Sequence, residues 1–115
     1  MRPDRLLLLD ILDAIAEVCD TTPTSKSAFD ADKLIRSHVL RHIQIIGEAV
    51  SRLSQVLKDQ NPSVPWRLIA GMRHVIVHDY YQVDWTQVYN AAIRDIPPLR
   101  MQIEMMLASV TDGSG

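Results

Sequence analysis

The chain has 115 residues, 47% of them apolar, and a formal net charge of −2. That length makes one domain with a single core, small enough that a partner chain would help to stabilise it, and the charge excludes a protein that coats nucleic acid by bulk electrostatics while leaving room for a local basic cleft. Six aromatic residues and one cysteine, Cys19, leave a core of Leu, Ile, Val, Ala and Met with no internal disulfide, which favours helix-on-helix packing in a reducing cytoplasm.

Pro3 suits a helix N1 position, and Leu6, Leu9, Ile11, Leu12, Ile15, Ala16 and Cys19 then recur at helical spacing, which predicts a first helix over about 3–20. Asp10 and Asp13 interrupt the leucines too early for a signal peptide, and no apolar run reaches the ~20 residues of a membrane span. Thr21-Thr22-Pro23 breaks the helix, and Thr24 or Ser27 is placed to cap a short helix through Phe29. From about Asp32 to Lys58, Leu34, Ile35, Val39, Ile43, Ile46, Val50, Leu53 and Leu57 step by three and four, predicting one long helix. Asn61-Pro62-Ser63-Val64-Pro65 reads as a turn, with Pro65 starting a helix that carries Leu68, Ile69, Met72, Val75 and Ile76. Asp84 with Gln87 forms a capping box for a last helix over about 85–108, where Pro97-Pro98 predicts a kink. Residues 1–110 are thus expected to form one all-α antiparallel bundle, with a solvated tail over 111–115.

The chemistry concentrates in Gly71-Met72-Arg73-His74-Val75-Ile76-Val77-His78-Asp79-Tyr80-Tyr81. A guanidinium grips phosphate with a planar fork of donors, and an imidazole moves protons near neutral pH. Arg73 and His78 need no metal or cofactor to cleave RNA, and none is assigned. On an ideal helix five residues advance about 7.5 Å and turn ~140°, so the two side chains do not share a face. A compact site then needs a bend or a second copy of the chain, which is the reason to expect a homodimer whose two signatures meet around one phosphate. His78 would take the proton of a ribose 2′-OH, Arg73 would stabilise the phosphoryl charge, and His74 or the twin's His78 would protonate the leaving oxygen.

Several residues around the signature fall into a familiar order: Arg41 and Ile45-Ile46-Gly47-Glu48-Ala49, then Pro65-Trp66-Arg67 and Ala70-Gly71-Met72-Arg73, then Val83-Asp84 and Leu99. Together with Arg-x4-His-x-Tyr, this set resembles the HEPN toxins of the HepT-like ribonuclease type across residues 41 to 100. The resemblance implies a four- to five-helix dimerising bundle, a metal-independent endoribonuclease with Arg73 and His78 as its pair, and supporting roles for His74, Glu48 and Asp79. It also implies a type VII-like toxin–antitoxin pair, in which an MNT nucleotidyltransferase antitoxin adenylylates Tyr80, with Tyr81 next in line. His74 departs from the Asn that relatives often carry, which leaves its role open.

Plainer roles stand beside these. Arg73 is expected to pair with Glu48 in addition to any catalysis, because a buried Arg needs a carboxylate. Gly47 is expected to allow close helix approach, and Trp66 and Trp85 to plug the core or an interface. Met101, Met105 and Met106 suggest a soft packing face for a dimer or antitoxin, and Cys19 a small buried apolar group. His38 and His42 read as solvated or interface histidines, and a metal site from His74 and His78 with Asp79 or Asp84 ranks well below that. The rival to the nuclease is a non-catalytic module of the same fold that binds nucleotide or phosphate and a nucleotidyltransferase partner.

Overall fold

The computed structural model describes residues 2–74 and 83–113, with side chains through residue 110. Every regular element among them is helical, as the aliphatic periodicity predicts. α1 (Asp4–Thr21) starts at Pro3, which is the N-cap residue rather than N1, and stops where the Thr22 hydroxyl turns back to donate to the Val18 carbonyl at 2.6 Å. α2 (Lys26–Ala31) is capped by Ser25, whose hydroxyl accepts from the Ala28 N–H, and not by Thr24 or Ser27. Asp32 caps α3 through the Ile35 N–H.

The long helix is shorter than its periodicity predicts. α3 (Lys33–Arg52) ends at Leu53, and a separate α4 (Gln55–Gln60) starts from Ser54. The cause is distant in sequence: the Ser54 N–H and hydroxyl both donate to the Asp4 carboxylate, at 2.9 and 2.6 Å, while Ser54 Oγ accepts from the Leu57 N–H. Leu53 and Leu57 stay buried on either side of the break, so the apolar spacing survives and hides it. Leu34, counted in the same stripe, is instead 82% exposed.

The Asp4–Ser54 contact joins the start of α1 to the end of α3, and Glu17 near the end of α1 lies beside His38 near the start of α3. The two helices therefore run antiparallel. α7 (Ile96–Gly113) covers α1 from another side, and Leu8, Ile11, Ile15, Ile46, Ile96, Leu99 and Ile103 fill the space between the helices. Phe29 of α2 is fully enclosed, its ring 5.1 Å from Tyr89 and 6.4 Å edge-on from Trp85 on α6 (Trp85–Asn90). Tyr89 extends this contact by donating to the carbonyls of Pro23 and Thr24.

α5 (Trp66–Gly71) follows Pro65, and the Trp66 indole donates back to the carbonyls of Lys58 and Asn61. It stops at Gly71, so a continuous helix from Pro65 through Val75 and Ile76 is not what forms up to residue 74; Val75 and Ile76 themselves lie outside the described residues. Asp84 caps α6 by accepting from the Gln87 N–H, as the capping box predicts. Between α6 and α7 the helix widens over Ala91–Asp95, where the Ile96 N–H reaches five residues back to the Ala91 carbonyl. Pro97 and Pro98 follow at once; lacking N–H groups they cannot close ordinary turns, and the wide turn lies on the side they leave unbonded. The helix runs on to Gly113, past the expected end near 108. Cys19 is half-buried against the core, and Trp66 and Trp85 are partly buried plugs.

Candidate functional site

The site begins with a close crossing. A Cβ on Gly47 would lie 2.9 Å from the Arg73 backbone nitrogen, 3.1 Å from the Ile69 carbonyl and 3.3 Å from that of Ala70. All three neighbours are backbone, so only glycine lets the end of α5 come this near α3. The Met72 N–H closes a tight turn onto the Ile69 carbonyl, and the chain then presents Arg73 beside the last two turns of α3.

There Arg73 Nη1 donates to Glu48 Oε2 at 3.2 Å and to Ser51 Oγ at 2.7 Å. The Ser51 hydroxyl donates its own hydrogen to the Glu48 carbonyl at 2.6 Å, which leaves its lone pairs facing the arginine. Glu48 Oε1 is taken by Arg52 Nε at 3.1 Å. Both Arg73 bonds use a single terminal nitrogen; among the described residues no partner takes Nε or Nη2. The pair is only partly buried, with side-chain exposures of 36% for Arg73 and 45% for Glu48, so water screens it. Such a contact adds at most ~1 kcal/mol to stability. Its larger effect is to aim the guanidinium, which Glu48 and Ser51 hold through Nη1.

Arg73 and His74 open onto a groove of about 720 Å³ between α1 and α3, and Glu17, His42 and Glu48 line the same groove. Asp10 and Asp13 add two more carboxylates to its wall. Asp10 binds Arg2 through two bonds of 2.6 and 3.0 Å, and this pairing holds the Arg2 guanidinium charge more firmly than usual. The expected Arg73–Glu48 contact is thus present, and His74 is exposed on the same groove. His78, Asp79 and Tyr80 lie outside the described residues, as does Tyr81. Ser51 and Arg52 were not anticipated as parts of the site. Their signal in the sequence is spacing: three and four residues after Glu48, they project near it from the same helix.

The family model of the HepT-like ribonucleases matches residues 11–106, a span that includes Gly47, Glu48 and Arg73. The chain belongs to the HepT-like ribonuclease family. It is 32% identical over 102 residues to a probable ribonuclease HepT of Thermococcus cleftensis, covering 84% of this chain and 93% of that one. A candidate RNase of Methanocaldococcus jannaschii is 28% identical over 106 residues, covering 91% and 97% of the two chains. One from Caldanaerobacter subterraneus subsp. tengcongensis is 33% identical over 79 residues, covering 69% and 70%. No solved structure matches the chain. In this HepT-like chain no helix among the described residues is long and apolar enough to cross a membrane.

Proposed function

We propose that this HepT-like chain is the toxin of a type VII-like toxin–antitoxin pair, a cytoplasmic, metal-independent endoribonuclease whose site forms where the signatures of two copies meet. The observation that carries the reading is the placement of Arg73: held by Glu48 and Ser51 through one nitrogen, at the rim of a groove, in a family of ribonucleases.

In the proposed reaction the substrate phosphate sits on the remaining donors of Arg73. His78 accepts the proton of the ribose 2′-OH as its oxygen attacks the neighbouring phosphorus. The bond from phosphorus to the 5′-oxygen breaks, and that oxygen takes a proton from His78 of the partner subunit or from His74. The products are a 2′,3′-cyclic phosphate and a 5′-hydroxyl end, with no net gain or loss of protons. Positioned acid–base groups contribute ~10²–10⁴-fold to such a step, and a positioned oxyanion donor ~3–4 kcal/mol of barrier. Leu34, Met101 and Met105 expose apolar side chains on the single chain, which suits a second copy or an antitoxin, while Met106 is spent in the core.

Control comes from an MNT-type nucleotidyltransferase partner that adenylylates Tyr80. The added phosphodiester anion would compete for the pocket Arg73 offers to the substrate phosphate. Asp79 and His74 support the pair. The carboxylates along the groove favour the rival reading, a module that binds one nucleotide or phosphate without turnover, because they repel a long polyanion.

Incubating purified chain with labelled RNA in EDTA separates the two. Wild type should yield fragments ending in cyclic phosphate, and Arg73→Ala and His78→Ala should yield none while keeping a helical circular-dichroism spectrum. Binding without products supports the rival, and equal cleavage by either variant refutes the assigned pair. Tyr80→Phe should cleave normally and escape the nucleotidyltransferase; if that variant is still modified and silenced, Tyr80 is the wrong acceptor.

A further inference from the structure

A second cluster, two of whose members (Glu17 and His42) line the same groove, has no part in the ribonuclease reading. Glu17 sits in the last turns of α1, and His38 and His42 stand one turn apart on α3. Because α1 and α3 run antiparallel, the late part of one faces the early part of the other. His38 Nε2 is 3.4 Å from Glu17 Oε1, and the two imidazole centroids are 4.2 Å apart. One ligand atom from each of the three side chains can be chosen so that all lie within 4.8 Å of one another.

His42 also has a defined tautomer. Its Nδ1 is 2.8 Å from the His38 carbonyl oxygen, and a carbonyl only accepts, so Nδ1 carries the hydrogen. The neutral ring then presents a lone pair on Nε2. A backbone carbonyl behind a histidine is the outer-shell arrangement that orients metal-binding imidazoles.

We propose that Glu17, His38 and His42 form a binding site for one divalent transition-metal ion of the zinc class. The ligands are a Glu17 carboxylate oxygen, a ring nitrogen of His38 and Nε2 of His42, and the fourth position opens to the groove. Tetrahedral zinc with bonds of about 2.0–2.2 Å separates its ligand atoms by roughly 3.3–3.5 Å. The Glu17–His38 spacing already has that value, and a rotamer adjustment of partly exposed side chains closes the rest. Two histidines at i and i+4 on one helical face are a familiar zinc-binding pair. Two nitrogens in three ligands select zinc, nickel or cobalt over magnesium and calcium, which prefer oxygen.

The ion would tie α1 to α3 and stabilise the folded state by mass action. It would also add positive charge to a groove wall that carries Asp10, Asp13 and Glu17. Six residues of α3, about 9 Å along the axis, separate His42 from Glu48, so this centre is distinct from the Arg73 site.

The test titrates the metal-stripped 115-residue chain with zinc sulfate against a chromophoric chelator, and with cobalt chloride followed by visible absorption. Wild type should bind one ion per chain, show the intense bands of tetrahedral cobalt, melt at higher temperature in saturating zinc, and ignore magnesium chloride. Losing an outer-shell partner costs ~10–100-fold in metal affinity, so His42→Ala and Glu17→Gln, which remove ligands, should each lose more than ~100-fold. Their circular-dichroism spectra should match wild type, and His74→Ala and His78→Ala should bind as wild type does. Absence of zinc binding by wild type overturns the proposal. So does binding that survives His42→Ala, or binding that is lost in His78→Ala instead, which would put the ion at the signature.

Discussion

Gly47→Ala probes the crossing on which the site is built. The added methyl would meet the Arg73 nitrogen at 2.9 Å where ordinary contact begins near 3.4 Å, so α5 must retreat by about 0.5 Å. The atoms that the methyl meets are all backbone, and no side chain can swing away. Alanine in a helix interior gains up to ~1 kcal/mol over glycine, whereas forcing an extra carbon into a packed contact costs ~1–3 kcal/mol. The expected net is destabilisation of about 0.5–2 kcal/mol, a fall in melting temperature of roughly 2–10 °C for a domain this size. Activity should suffer more than stability. A misplacement of ~1 Å at a reacting group costs ~10²-fold, so half that shift of Arg73 should lower RNA cleavage by about ten-fold. Thermal melts at one fixed protein concentration and initial cleavage rates on the same samples measure both. A variant as stable and as active as wild type would refute the close approach as the device that positions Arg73.

Other substitutions isolate single contacts. Glu48→Gln removes the charge facing Arg73 in a screened pair, so stability should change by no more than ~1 kcal/mol while cleavage falls ~10–100-fold; faster cleavage would show that Glu48 competes with the substrate rather than aiming the arginine. Ser54→Ala removes the α4 cap and the hydroxyl bond to Asp4 while the backbone N–H bond to Asp4 remains, and should cost ~1–2 kcal/mol in urea denaturation. In a double-mutant cycle with Asp4→Ala the two costs should fall short of additive by ~0.5–1.5 kcal/mol, and full additivity would deny the contact. Phe29→Ala empties the enclosed site between α2 and α6 and should cost ~3–5 kcal/mol, a large share of the ~5–15 kcal/mol of a typical domain; a loss under ~1 kcal/mol would mean the ring is not enclosed.

What could be read from the residues in advance was local or carried by charge pairing. The Asp84 and Asp32 helix starts and the turn ending at Pro65 are written within a few residues of where they act, whereas the kink expected at Pro97-Pro98 did not foretell the wide turn over Ala91–Asp95 ahead of it. Arg73 and Glu48 were legible as a pair because a buried cation needs an anion, although the structure leaves both partly exposed. Ser25 over Thr24 or Ser27 was a choice among neighbouring hydroxyls that spacing alone does not rank.

Sequence alone determined an all-helical chain with an aliphatic core, and it singled out the arginine and the carboxylate that meet, because helical periodicity and charge pairing are short-range physics. The tertiary structure decided the break at Ser54, since the Asp4 carboxylate that holds it lies fifty residues away and an unbroken apolar stripe conceals it. It also decided that Ser51 joins Arg73, that Leu34 faces outward, and that Glu17 from one helix meets two histidines from another. Each of these depends on which helix faces which, and that is settled only when several faces are buried at once.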